Sequence, residues 1–233
     1  MRRRDLLTAS LSLPLLSTTA SLPLSPTTAR ASGMPVVLEL FTSQGCSSCP
    51  PADALLGQLT GEPGVIALAW HIDYWNNLGW RDPYARREWT QRQQSYAKYL
   101  DGEVYTPALV VNGATMVVGS DQTAVRAAMR QAAPPSVPVT LRRTPAGLEA
   151  EIGASATPVT GLLVTYDPEH ATHVDAGENL GRRLVEYRVV REAVNLGPVA
   201  SRLNLPAAPA GSGTVLLVQD ASWRVTGAAD LPP

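Results

Sequence analysis

Cys46-Ser47-Ser48-Cys49 constrains this chain more than any other stretch, because it lies between the apolar run Val36-Val37-Leu38-Glu39-Leu40-Phe41 and the segment Pro50-Pro51-Ala52-Asp53-Ala54-Leu55-Leu56. The chain has 2 cysteines in 233 residues, and their spacing lets one sulfur attack a disulfide that involves the other. A CxxC between a strand and a helix reads as a redox pair. Only the thiolate is nucleophilic, and a helix amino terminus lowers a thiol pKa from its ordinary value of about 8.5. Cys46 is expected to be the attacking, more exposed sulfur and Cys49 the resolving one. Pro50 disfavours helical geometry at Cys49 and suits a first helical turn, so the helix should begin near Pro50 with Cys46 just ahead of it.

The elements follow from the pattern. Pro35 to Phe41 reads as a buried strand, Pro50 to Leu59 as a helix, and Val65 to Trp70 as a second buried strand, which makes a βαβ unit around the cysteines. Asp82-Pro83 predicts a helix start, with Trp89, Gln93, Tyr96 and Leu100 on one face. Thr106 to Val118 holds two short apolar runs joined by Asn112-Gly113, a hairpin signal. Ser120-Asp121 then offers a cap for a helix through Ala132.

The proline-dense stretch 132–138 marks a boundary. Beyond it Val139 to Leu141, Leu148 to Ile152, Gly161 to Tyr166, Leu184 to Val190 and Thr214 to Val218 read as strands. A smaller, mainly antiparallel β region over 136–233 is therefore expected, as a sandwich or an elaborated sheet packed on residues 32–135. Glu178-Asn179, flanked by Gly177 and Gly181, reads as a turn held by its glycines, with a binding site as the alternative. The aromatic stretch Trp70, Tyr74, Trp75, Trp80 and Tyr84 reads as the packing of a long loop, with a groove beside the cysteines as the alternative.

Compartment follows from the first residues. Arg2-Arg3-Arg4 precede the uncharged stretch Leu6 to Leu24, and Ala29-Arg30-Ala31 offers a small-x-small cleavage site, so residues 1–31 read as an export signal peptide. Arg3-Arg4-Asp5-Leu6-Leu7 resembles the twin-arginine motif. The apolar stretch is too short and too polar for a stable membrane span. Removing four arginines against one aspartate lowers the net charge from -1 to about -4. The charge argues against a nucleic-acid partner, and the mature chain is expected to be a periplasmic or secreted monomer, in a compartment where disulfides persist.

The element order, the CxxC after the first strand, and Thr106-Pro107 ahead of an Asn-Gly hairpin together resemble the thioredoxin fold over roughly Pro35 to Ala133. The resemblance implies an α/β thioredoxin-like domain over 32–135. It also implies that Pro107 is cis and faces the disulfide, with Thr106 before it, so that a cysteine-containing peptide can pair with the open backbone. The sequence departs from that pattern at Gly45, where an aromatic residue is usual, and in the two serines between the cysteines. The strand Val37 to Phe41 resembles that of exported thiol oxidases, which implies that Glu39 is a buried acid moving a proton to or from Cys49; the alternative is a glutamate facing solvent at a strand end. More closely, the phrases from Glu39 to Asp53, Trp70 to Trp75 and Gly177 to Arg182 are similar to an exported bacterial thioredoxin-like family known as domain of unknown function 1223.

The leading expectation is an exported thiol–disulfide oxidoreductase acting on protein thiols or disulfides through Cys46 and Cys49, with no cofactor. Two alternatives stand beside it. Cys46, Cys49 and one of His71, His170 or His173 could handle copper or zinc. The disulfide could instead be inert within a non-catalytic binding module.

Overall fold

The structure is a computed structural model that describes residues 34–233. The export signal expected over residues 1–31 lies outside the described residues.

The first half follows the sequence pattern closely. Strand β1 (Val36–Thr42) leads through the cysteine loop into helix α1 (Pro50–Thr60), and β2 (Val65–His71) returns parallel to β1, pairing Val36 with Val65 through Thr42 with His71. Helix α2 (Arg87–Tyr99) follows, then the hairpin of β3 (Ala108–Val111) and β4 (Thr115–Val118), and α3 (Gln122–Gln131). Asn112 and Gly113 both adopt positive φ, which the two-residue hairpin turn requires. Asp121 caps α3 by accepting a bond from the Ala124 amide at 2.9 Å.

One helix boundary differs. Asp82-Pro83 does not open α2, which starts at Arg87. The Asp82 carboxylate accepts bonds from the Gln44 and Tyr84 amides and faces His71, so the site claims it in place of a helix end.

The second half extends the same sheet. Strands β5 (Val139–Thr144), β6 (Gly147–Ile152) and β9 (Arg202–Leu205) form a three-stranded sheet, in the order β5-β6-β9. The long hairpin of β7 (Thr160–His173) and β8 (Arg183–Pro198), with β10 (Gly213–Gln219) and β11 (Val225–Leu231), joins the first-half strands instead. The result is an eight-stranded mixed sheet in the order β11-β10-β7-β8-β2-β1-β3-β4. β7 and β8 run well beyond the expected apolar cores, because the two strands pair along their whole length, from Thr160 with Pro198 to His173 with Arg183. β9 and β11 are too short or too weakly apolar to stand out in the sequence.

Strand alternation sorts the core into two faces. Val37, Phe41, Leu68, Trp70, Val164 and Leu217 pack with Trp89 and Tyr96 of α2 on one face. On the other, Leu38, Leu40, Ala67 and Ala69 pack with α1 and α3, while the small sheet covers Leu163, Leu216 and Val218. Among the described residues no helix is long and apolar enough to cross a membrane.

Helix α1 lies so close to β8 that Gly57 has no room for a side chain. A Cβ there would meet the Tyr187 ring at 2.4 Å. Overpacking costs about 1–3 kcal/mol, against about 1 kcal/mol that alanine gains in a helix. Gly57→Ala is therefore expected to lower stability by about 1 kcal/mol in urea denaturation, where a surface helix glycine would show a gain.

Candidate functional site

Cys46 and Cys49 form a disulfide at the start of α1. Cys49 is the residue before the helix, with helical dihedrals (φ -78, ψ -37) despite the proline that follows. The reason is local: its amide donates to the Cys46 carbonyl, and its own carbonyl accepts from the Ala52 and Asp53 amides, so the turn and the helix share it. Pro50 occupies the first helical position, as its residue type favours.

The hydroxyl of Thr106 donates to Cys46 Sγ at 3.4 Å, and Trp75 Nε1 donates to the same hydroxyl at 2.8 Å. Ser48 Oγ stands 3.3 Å from Cys46 Sγ. The Thr106–Pro107 peptide bond is cis. Cys46, Cys49 and Thr106 are thus brought together, with Pro107 next in the chain.

The expectation of an exposed Cys46 is corrected: both cysteines are 0% exposed. The stretch holding Trp75 and Trp80 and the β7–β8 hairpin both contact the cysteine loop. Gln44 ties the cysteine loop to both: its side chain donates to Thr172 and Glu186 and accepts from Trp80, while its carbonyl accepts from Asn179. Asn179 also donates to the Cys46 carbonyl at 3.0 Å, and Glu178 Oε2 accepts from the Ser47 amide at 3.2 Å. The Glu178-Asn179 turn, read from sequence first as a turn between glycines, is therefore a clamp at the tip of the β7–β8 hairpin. Gly177 has positive φ and sits so close to Trp80 that a Cβ would approach its side chain at 3.0 Å. Of the aromatic stretch, Trp75 and Trp80 adjoin the cysteine loop, whereas Trp70 packs edge-on against Trp89 in the core.

Glu39 is buried, but its partners lie elsewhere. Arg92 Nε and Nη2 bind its carboxylate at 2.7 and 2.9 Å, and Tyr96 donates to it. Arg92 also bonds Gln219 of β10 and lies 5.0 Å from the centre of the Trp70 ring. Alternation places Glu39 with Val37 and Phe41 on the α2 face, whereas Cys49 begins α1 on the opposite face. The acid implied for Cys49 is engaged by Arg92.

A second acid stands on the α1 face. Asp53 follows Cys49 by one helical turn, its amide bonding the Cys49 carbonyl, and it is only 6% exposed. Its Oδ1 has no hydrogen-bond partner, and neither do the buried Thr42 Oγ1, His71 Nε2 and Glu186 Oε1. Burial pushes the Asp53 carboxyl up to about 7, with the charge on His71 drawing it partly back. Burial disfavours a charged His71, but Asp82 at 2.7 Å outweighs it and lifts the imidazole to about 9. Burial likewise raises Glu186. It acts against a charged Asp82 too, but His71 and two backbone amides hold that carboxyl below its ordinary value.

Sequence reasoning missed this cluster. The available signal was helical phase: Asp53 precedes Leu56 by three residues and so lies on the buried stripe of α1 instead of its wet face. A cleft of about 540 Å³ between α1 and β8, lined by Pro50, Asp53, Arg182, Arg183 and Tyr187, links Asp53 to solvent.

The histidines do not join the sulfurs. His71 faces Asp82, His170 faces Asp167, and His173 lies near Asp175. Among the described residues no group of three or more His, Cys, Asp or Glu is placed to hold a metal ion.

Comparison with known proteins gives a family and a fold. A protein from Agrobacterium tumefaciens, known from an X-ray crystal structure, is similar at 31% identity and a TM-score of 0.75, covering 86% of this chain and 95% of that one. HBP35 of Porphyromonas gingivalis is similar in fold, with a TM-score of 0.59 at 12% identity over 86% of this chain and 75% of that one. No curated protein matches the chain. Residues 37–219 match the family described as protein of unknown function (DUF1223), and the chain belongs to that family.

Proposed function

We propose that this chain is an exported thiol–disulfide oxidoreductase of thioredoxin-like architecture that exchanges electrons with protein thiols or disulfides outside the cytoplasm. The fold reading is supported by the sub-order β2-β1-β3-β4, with α1 and α3 on one face and α2 on the other. The observation that carries the function is a buried carboxyl, Asp53, with an Oδ1 that lacks a hydrogen-bond partner, one turn behind a disulfide whose other sulfur receives the Thr106 hydroxyl.

In the reducing direction of the pair, a partner thiolate attacks Cys46 Sγ, forming a mixed disulfide and breaking the Cys46–Cys49 bond. Cys49 leaves as a thiolate and takes a proton from the Asp53 carboxyl. A second partner thiol, as thiolate, then attacks the mixed disulfide. It releases a partner disulfide and the Cys46 thiolate, so two electrons have entered the pair. The reverse sequence reduces a partner disulfide, with Asp53 accepting the Cys49 proton. Access requires the Glu178-Asn179 clamp to lift off the cysteine loop.

The burial of both sulfurs favours a second reading, an inert structural disulfide. Equilibration with a glutathione buffer in the absence of denaturant separates the two. The first reading expects native protein to interconvert between dithiol and disulfide, and Cys49→Ala to accumulate mixed disulfides with partner proteins in the exported fraction. Reduction that proceeds only as fast as global unfolding would establish the inert disulfide instead.

A further inference from the structure

Among the described residues, Glu178 is the carboxylate that reaches the backbone between the two cysteines. Its Oε2 accepts the Ser47 amide at 3.2 Å, one residue beyond Cys46. Asn179 fixes its position by holding the carbonyls of Gln44 and Cys46, and Arg182 in turn donates to the Asn179 side chain at 2.8 Å. The carboxylate therefore belongs to a built contact, with a buried asparagine beside it as anchor.

The consequence concerns the reduced protein. A Cys46 thiolate draws stability from amide donors and the positive end of α1. Glu178 occupies the Ser47 amide and adds a negative charge at the residue next to Cys46, and a like charge disfavours the thiolate. A disulfide is strongly oxidising when its reduced form is stabilised, so a destabilised thiolate makes the pair more reducing. We infer that Glu178 sets the redox potential of the Cys46–Cys49 pair toward the reducing side by holding its carboxylate on the Ser47 amide. This inference rests on the oxidoreductase reading.

The test is Glu178→Gln, because glutamine keeps a carbonyl acceptor for the Ser47 amide and keeps the clamp closed while removing the charge. At pH 8 the equilibrium constant with glutathione is expected to shift about threefold to tenfold toward the dithiol, the low end reflecting solvent screening of a surface contact. The Cys46 thiol, followed by ultraviolet thiolate absorbance in the reduced protein, is expected to titrate at lower pH by the corresponding amount. An unchanged equilibrium constant and thiol titration, in a chain whose wild type does exchange with glutathione, would overturn the inference and leave the oxidoreductase reading standing. Faster exchange at an unchanged equilibrium constant would overturn it too, by showing that Glu178 only covers the sulfur. A wild type that fails to exchange without unfolding would remove both.

Discussion

Glu39→Gln is expected to lower folding stability by about 3–5 kcal/mol in urea denaturation, the range for breaking one side of a buried ion pair. The Arg92 guanidinium is almost fully buried and gives Glu39 two of its bonds, with Tyr96 and Gln219 completing the network between β1, α2 and β10. Glutamine keeps the shape but leaves the guanidinium charge without compensation in a low-dielectric site. Replacing both partners, as in Glu39→Gln with Arg92→Met, should recover much of the loss, because no buried charge then remains. The potential of the cysteine pair and the pH profile of exchange should be unchanged in the folded fraction. A shifted pH profile would return Glu39 to the proton-moving role that its strand resembles.

Asp53→Asn is expected to act in the opposite sense on stability while impairing exchange. The carboxyl titrates near 7 in the folded chain against its ordinary 3.8, so the folded state binds the proton more tightly over that interval. Stability contributed by the protonated form is full below pH 3.8 and is lost as pH rises toward 7. A difference of that size corresponds to about 4 kcal/mol as an upper bound. Asparagine does not ionise, and after allowance for its own unmet hydrogen bonds a gain of about 1–2 kcal/mol is expected at pH 8, vanishing below about pH 4.

His71, titrating near 9 when folded against its ordinary 6.5, contributes stability that is full below pH 6.5 and lost through pH 9. That second phase should remain in the variant, since Asp82 supplies the largest favourable charge. Exchange at pH 7 should slow about 10²-fold, the lower range for general acid–base catalysis, and its inflection near pH 7 should disappear. A variant more stable yet equally fast would assign Asp53 no part in proton transfer.

Much of the first half was legible from local rules. The Val- and Leu-rich β1 and β2, Pro50 at the first turn of α1, Asn112-Gly113 in the hairpin and Asp121 as a cap each have a physical cause within a few residues. The candidate site was legible as far as the sulfurs and Thr106, which the structure brings together. Its cover and its acid were not. Glu39 sits in a strand buried on both faces and Asp53 on the buried stripe of α1, and the packing of α2 against β1 shows that Arg92 takes the first, while Asp53 Oδ1 is left without a hydrogen-bond partner.

The chain by itself determined where the disulfide sits, because a strand, a turn and a proline-started helix are fixed by backbone sterics and hydrophobic period over about 25 residues. Only tertiary structure decided that the sulfurs are shielded and which carboxyl stands behind them. Glu178 and Asn179 reach the cysteine loop from more than 130 residues away along the chain, carried there when β8 docks beside β2 at Ala69 and Val189. Such contacts are set by sheet order and register, which no local pattern around either loop encodes.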